Sequence, residues 1–278
     1  MITAFHIMDN TRTGVGALLS LFRRNRIRVE HRYCDAVAVT SIVYELHRGK
    51  VTWASVDRFA GDQRAALLCR EGISLPSDRG YRRFVSDELR IRLCENAALY
   101  LLNNCTYPVR VALIDDSGDH AGLCRYLAES TDRVTVVTGK TRLYLDEADR
   151  LLQEKGAVIS VTKGISALKN ADLIIAPARL EGDLHCADNA VILSAAEPTV
   201  AQNAPVIHDY SFDLPRKFSE LKPDYLDDMY FASALYTLAG AHELGSSVFR
   251  RCTDGRTIHT RKSLTEQLKK RLQAVQKS

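Results

Sequence analysis

From Asp115 to His120 the chain reads DDSGDH, which sets three carboxylates, a hydroxyl, a glycine and an imidazole in six positions. Acids so closely spaced can hold a divalent cation or divide general acid and base roles between them. They follow the apolar run Val109–Ile114 (VRVALI), which reads as a strand. The turn after such a strand is where ligands usually sit, because the strand's carboxyl end meets a helix N-terminus there. A second group, Thr138-Gly139-Lys140-Thr141-Arg142, puts hydroxyls and cations after a second strand-like run. A third lies in ISLPSDRGYRRF (residues 73–84), where Arg79, Arg82 and Arg83 with Tyr81 suit an anionic or carboxylate ligand, or form a solvated loop edge. Gly14-Val15-Gly16 before Ala17–Phe22 could mimic a phosphate cradle. It lacks the Lys-Ser/Thr pair of a P-loop, so a tight turn is the plainer reading.

The elements that must carry these groups follow from periodicity. Five apolar segments come after the opening strand: Arg133–Thr138, Ala157–Thr162, Asp172–Ala176, Ala190–Ser194 and Pro205–His208. Helix-like stretches, Ala121–Glu129, Leu143–Lys155 and Ile165–Lys169, separate the early ones. Such alternation predicts right-handed parallel βαβ units. The fold class is therefore α/β, a six-stranded doubly wound parallel (Rossmann-like) sheet with a smaller N-terminal α/β domain and C-terminal helices. Three regions are expected: residues 1–108, 109–225 and 226–278, the last packing back on the others. Before Pro108, Ile2–Met8 reads as a strand, Asp35–Leu46 as strand or buried helix, and Ser55–Arg70 as a helix. Ser86 is a candidate N-cap for a helix that ends near Asn104. Near the end, Asp227-Asp228 starts a helix, Asp254-Gly255 marks a turn, and Ser263-Leu264-Thr265-Glu266 reads as a capping box.

Composition narrows the classes. The 278 residues are 46% apolar and 26% charged with a net charge of +4, ordinary for a globular protein. No apolar run approaches the roughly 20 residues of a membrane span, and the first residues resemble no signal peptide, so a cytoplasmic protein is expected. Seven scattered cysteines form no CxxC pair, and the eight histidines show no HExxH spacing, which predicts reduced thiols and no metal site. The arginines at 23, 24, 26, 28 and 32 with those at 79, 82 and 83 raise nucleic acid as a partner, but a solvated face explains part of the first cluster and no aromatic RNA-binding motif or recognition helix accompanies them.

The segment from Val109 to about Tyr210 resembles the NAD(P)-binding Rossmann domains, nearest to shikimate dehydrogenase-like two-domain dehydrogenases. ALKNADLIIAP (residues 167–177) looks like the helix and fourth strand of those enzymes, and VIHDYSFDLP (residues 206–215) is similar to their segment after a late strand. The resemblance implies a dinucleotide held by Asp115, Asp116, Ser117, Gly118, Thr138, Lys140, Arg142 and Ala176. Lys140 and Arg142 resemble the 2′-phosphate pocket that selects NADP, or else simply cap the start of a helix. It also implies a small polar substrate in an interdomain cleft, touched by Arg82 and Tyr210, with hydride transfer as the reaction and a homo-oligomer as a possible assembly. The catalytic residues do not carry over: the family's lysine has no counterpart, since Lys50 is the sole lysine before Val109 and no motif surrounds it.

The glycine fingerprint departs from that pattern. Asp115, Ser117 and His120 stand where the three glycines belong, and Gly122 becomes the third only with an insertion. A Cβ at the first two positions crowds the pyrophosphate, and the acids repel it. Two readings therefore stand side by side: an NADP-dependent reductase or dehydrogenase of a small polar metabolite, and, as the alternative, a non-catalytic or altered-ligand Rossmann protein that has lost dinucleotide binding and binds another metabolite or a protein partner. ALIDDSGDHAGLCRYL (residues 112–127) also looks like the start of a response-regulator receiver, but the third strand ends Val161-Thr162-Lys163, without the phosphoacceptor carboxylate.

Overall fold

The computed structural model of the chain describes residues 1–10 and 24–276; the Gly14-Val15-Gly16 turn, the helix expected over residues 17–22 and Arg23 lie outside them. Two compact units divide it, one of Met1–Leu89 with Leu214–Leu244, the other of Arg90–Asp213 with Gly245–Ser278. No helix among the described residues is long and apolar enough to cross a membrane.

In the first unit, β1 (Ile2–Asp9), β2 (Arg26–Cys34) and β3 (Val37–Leu46) form a sheet in the order β1-β3-β2. The run from Val37, ambiguous in sequence, is the central strand, parallel to β1 and antiparallel to β2. Its β-branched residues suit that place. Asp35, at φ 52°, makes the tight β2–β3 turn, a conformation that aspartate tolerates. The helix expected over Ser55–Arg70 is shorter: α1 spans Trp53–Ala60, and Gly61–Ala66 is a 3-10 turn. Gly61 adopts φ 52°, which ends the helix, and Leu67 and Leu68 then bridge in strand fashion to Arg83 and Ala4. Both leucines are fully buried there, a gain that overrides helical continuation.

The second unit opens within α2 (Glu88–Asn104), whose first two residues belong to the first unit. Then β4 (Val111–Ile114), α3 (Leu123–Ser130), β5 (Val134–Val137), α4 (Thr141–Lys155), β6 (Ile159–Thr162), a 3-10 turn at Ile165–Asn170, β7 (Leu173–Ala176), β8 (Val191–Ser194) and β9 (Val206–Ser211) succeed one another. These six strands are parallel in the order β6-β5-β4-β7-β8-β9. Numbered along the chain, that is 3-2-1-4-5-6, the Rossmann order, with its switch point between β4 and β7. β7 and β8 are buried at every position, as strands covered on both faces must be.

The chain returns to the first unit through α5 (Arg216–Ser219) and α6 (Asp228–Leu238), the latter capped by Asp227, whose carboxylate accepts from the Met229 and Tyr230 N–H groups. The last segment corrects the six-stranded, all-parallel expectation. β10 (Arg251–Thr253) pairs antiparallel with β9, and β11 (Ile258–Thr260) with β10, so the sheet has eight strands and is mixed. Three-residue strands carry too little alternation to show in sequence, and only their Asp254-Gly255 turn did. α7 (Arg261–Gln276) starts two residues before the expected capping box, because Thr260 is the cap: its N–H donates to Ser263 Oγ at 2.8 Å, and the Ser263 N–H to Thr260 Oγ1 at 3.3 Å.

Asp172, almost fully buried, clamps the amino ends of the two central strands. It accepts from Arg110 Nε at 2.9 Å, Nη2 at 2.7 Å and the Arg110 backbone N–H at 2.9 Å, a bidentate pair with a third bond. Asp172→Ala should lower stability by about 2–3 kcal/mol, the scale of lost hydrogen bonds to a charged group; chemical denaturation of both proteins measures it.

Candidate functional site

The loop after β4 is built around one carboxylate. Asp115 is 4% exposed at the strand's carboxyl end. Its Oδ1 accepts from the Ser117 N–H at 3.0 Å, Ser117 Oγ at 2.7 Å and the Gly118 N–H at 2.9 Å; its Oδ2 accepts from the His120 N–H at 2.9 Å and from the Tyr144 hydroxyl. Burial pushes the Asp115 carboxyl up, but these hydrogen bonds, Tyr144's foremost, outweigh it and hold the group below its usual range. Gly118 adopts φ 89°, and a Cβ there would lie 2.7 Å from Leu143 Cδ2, so glycine serves both the turn and the approach of α4.

The neighbouring acids do different work. Asp116 is exposed, and its Oδ1 accepts from the Gly139 N–H at 2.7 Å, tying the β4 loop to the loop after β5. Asp119 is exposed, and its N–H donates to Ser117 Oγ. With donors against both Asp115 oxygens, a cation would have to displace them, and the described residues contain no cluster of three metal-binding side chains. His120 turns the other way. Its Nδ1 lies 2.9 Å from Oε1 of buried Glu95 on α2, whose Oε2 accepts from Arg92 Nη1 at 2.8 Å.

After β5, Thr138 is buried and its Oγ1 accepts from the Lys140 N–H. Lys140 and Arg142 are exposed, and with Lys163 they rim a shallow depression at the start of α4. That helix start has no side-chain cap, and Thr141 Oγ1 is buried without a partner. Ala176 lies at the carboxyl end of β7, 2% exposed. Arg82 is exposed in the first unit. Tyr210, expected to touch a ligand, is instead a core residue at 2% exposure: its hydroxyl donates to the Ile207 carbonyl at 3.1 Å, and its ring meets Phe249 edge-on. Its strand is covered rather than open at that position, which the motif alone did not reveal.

Two participants escaped the sequence reading. Tyr144 is 29 positions from Asp115, and Glu95 lies on a helix before the first strand; no local spacing connects either to the loop.

No family model matches this chain, and no curated protein matches it. The topology is that of Rossmann-type α/β proteins, and similar solved structures are found among dehydrogenases and a synthase. L-tryptophan dehydrogenase from Nostoc punctiforme is 12% identical over 100% of this chain and 89% of its own, with a TM-score of 0.35. Dipicolinate synthase A chain from Bacillus subtilis is 14% identical over 72% of each chain, at 0.35. Shikimate 5-dehydrogenase from Thermus thermophilus, in complex with NADP(H) and shikimate, is 9% identical over 98% of this chain and 100% of its own, at 0.30. Likenesses this distant carry no argument about activity.

Asp115→Asn should destabilise the fold by about 2–3 kcal/mol, since the amide cannot accept from every donor now facing the carboxylate, and Tyr144→Phe by about 1–2 kcal/mol. Urea midpoints measure both. His120 gives a pH signature. The hydrogen bond to Glu95 raises its pKa, burial opposes this, and the Asp115 charge adds to the rise. A raised folded value means that protonated His120 stabilises the protein fully below the ordinary 6.5 and that this contribution is lost as pH rises through the folded value. The urea midpoint should therefore fall between weakly acidic and weakly alkaline pH, and His120→Gln should flatten that fall.

Proposed function

We propose that this chain is an altered-ligand Rossmann protein, in which the turn after the first sheet strand no longer receives a dinucleotide diphosphate in the usual pose. The observation that carries this reading is the Asp115 carboxylate, seated on the N–H groups of Ser117, Gly118 and His120. Backbone donors of that turn are what a diphosphate takes in Rossmann proteins. Here an internal anion holds them, so the residues do not fit the cofactor. A diphosphate entering beside Asp115 would also meet repulsion of about 1–4 kcal/mol per charge pair at 4 Å, between bulk-water and protein-surface screening.

What remains at the carboxyl ends of β5 and β6 suits a smaller anion: Lys140, Arg142 and Lys163 around the uncapped start of α4. The same cations favour a second reading, an NADP-dependent reductase of a small polar metabolite, with Lys140 and Arg142 on the 2′-phosphate and the diphosphate displaced from the Asp115 loop.

Titration of NADPH, followed by nicotinamide fluorescence and by calorimetry, separates the two. The altered-ligand reading expects no saturable binding up to millimolar cofactor. Saturable binding that disappears in a Lys140→Ala/Arg142→Ala double variant would overturn it in favour of the reductase.

A further inference from the structure

One edge of the eight-stranded sheet is open. β6 ends the strand order, and among the described residues its sole strand partner is β5. The Thr138 N–H donates to the Thr162 carbonyl at 2.9 Å, so alternation turns the N–H and C=O groups of Ile159 and Val161 to the free side. No proline or bulge blunts this edge, and its sequence, ISVT, carries no charge. Such a row of groups is a template for another strand.

The helix beside that edge shows what comes with the strand. α4 runs back along β6: Gly156 follows its last turn, and Lys163, just after the strand, shares the depression at the helix start with Gly139 and Arg142. Tyr144 and Leu151 are its buried residues. Leu143, roughly 100° round the helix from Tyr144, is the side chain that Gly118 accommodates, on the side of the β4 loop. Leu145 is as far round the other way, so with Leu152 it forms the flank turned away from β4 and out past β6. These two leucines are 48% and 52% exposed, with half-buried Ala148 between them, and Val158, just before the strand, is 66% exposed. Charge runs unevenly along the same helix. Lys140 and Arg142 are exposed at its start, and Asp146, Asp149 and Glu154 are exposed further on.

One operation suits both the edge and the flank. A two-fold axis perpendicular to the sheet and passing through Ser160 would lay β6 antiparallel to its own copy, so that Ile159 of each chain and Val161 of the other exchange both their hydrogen bonds. The two α4 helices then lie on one face of a continuous sheet. With strands about 4.8 Å apart, helices that each cross from β5 to β6 come within about 10 Å of one another, the packing distance of two helices. Antiparallel, they set Leu145 against Leu152 of the mate across the small Ala148, place each cationic start beside the other's acidic end, and oppose their macrodipoles. We propose that the β6 edge and the Leu145–Leu152 flank of α4 are an isologous interface, and that its partner is a second copy of this chain.

Sedimentation velocity of the full chain should show a dimer forming at micromolar concentrations. Leu145→Asp with Leu152→Asp, at two exposed positions, should leave only monomer there, whereas Val200→Asp, at an exposed apolar position on another loop, should leave the dimer intact. Ser160→Cys tests the axis. Facing Cα atoms of a non-hydrogen-bonded antiparallel pair are about 4.5 Å apart, within reach of a disulfide. Mild oxidation should therefore give a covalent dimer of that variant and none of the unaltered chain, whose cysteines are buried or half-buried. Asp149, next to the axis, faces its own mate, so Asp149→Asn should tighten the dimer several-fold. A monomer at millimolar concentration, a dimer that survives the leucine double variant, or one that Ser160→Cys does not trap would overturn the proposal. Mass is the quantity read throughout, which keeps the outcome separate from that of the NADPH titration.

Discussion

A negative charge held inside a loop is the constraint on which the second unit turns. The amide donors after β4 must find an acceptor, since buried N–H groups left alone are costly. In a dinucleotide-binding protein that acceptor arrives with the ligand. Here Asp115 supplies it from the chain, so the loop can be ordered by itself, and Tyr144 brings a further donor from α4. The fold keeps its switch point, and a carboxylate of the chain itself occupies the donors of the neighbouring turn.

The rest of the loop follows from that choice. Asp115 draws Ser117, Gly118 and His120 around itself, and the glycine's φ of 89° lets the chain turn that tightly. His120 then faces Glu95, so α2 supports the loop from a second direction, with Arg92 balancing the charge. Asp116 ties the loop after β5 to the same frame through the Gly139 N–H. One carboxylate fixes the loop internally, and the next fixes its neighbour.

Charge is used in contrasting ways at the two ends of the central strands. At the amino ends, Asp172 meets Arg110 in a bidentate pair that joins the starts of β4 and β7. At the carboxyl ends, the cations Lys140, Arg142 and Lys163 are exposed around the uncapped start of α4. The first arrangement satisfies a buried carboxylate. The second leaves its cations facing solvent.

The sequence by itself determined the Rossmann strands, the helices of the first two crossovers and the missing glycines, because apolar periodicity, helix punctuation and the residue at a fingerprint position are local properties; the helix-like stretch at Ile165–Lys169 is a 3-10 turn instead. VRVALI, RVTVVT and DLIIA identify strands wherever they fall, and DDSGDH announces that a Cβ and a charge stand where glycine would. The sequence did not reveal the β10–β11 hairpin, whose three-residue strands are formed by pairing with β9, nor the early end of α1, where burial of Leu67 and Leu68 prevails over helical pattern. Nor did it show where Tyr210 points, since core and ligand tyrosines have the same local motif. Only the tertiary structure decided that Asp115 faces inward. Its partner Tyr144 and the support from Glu95 come from distant stretches of chain, and which donors meet a carboxylate is settled by packing in three dimensions, not by spacing along one.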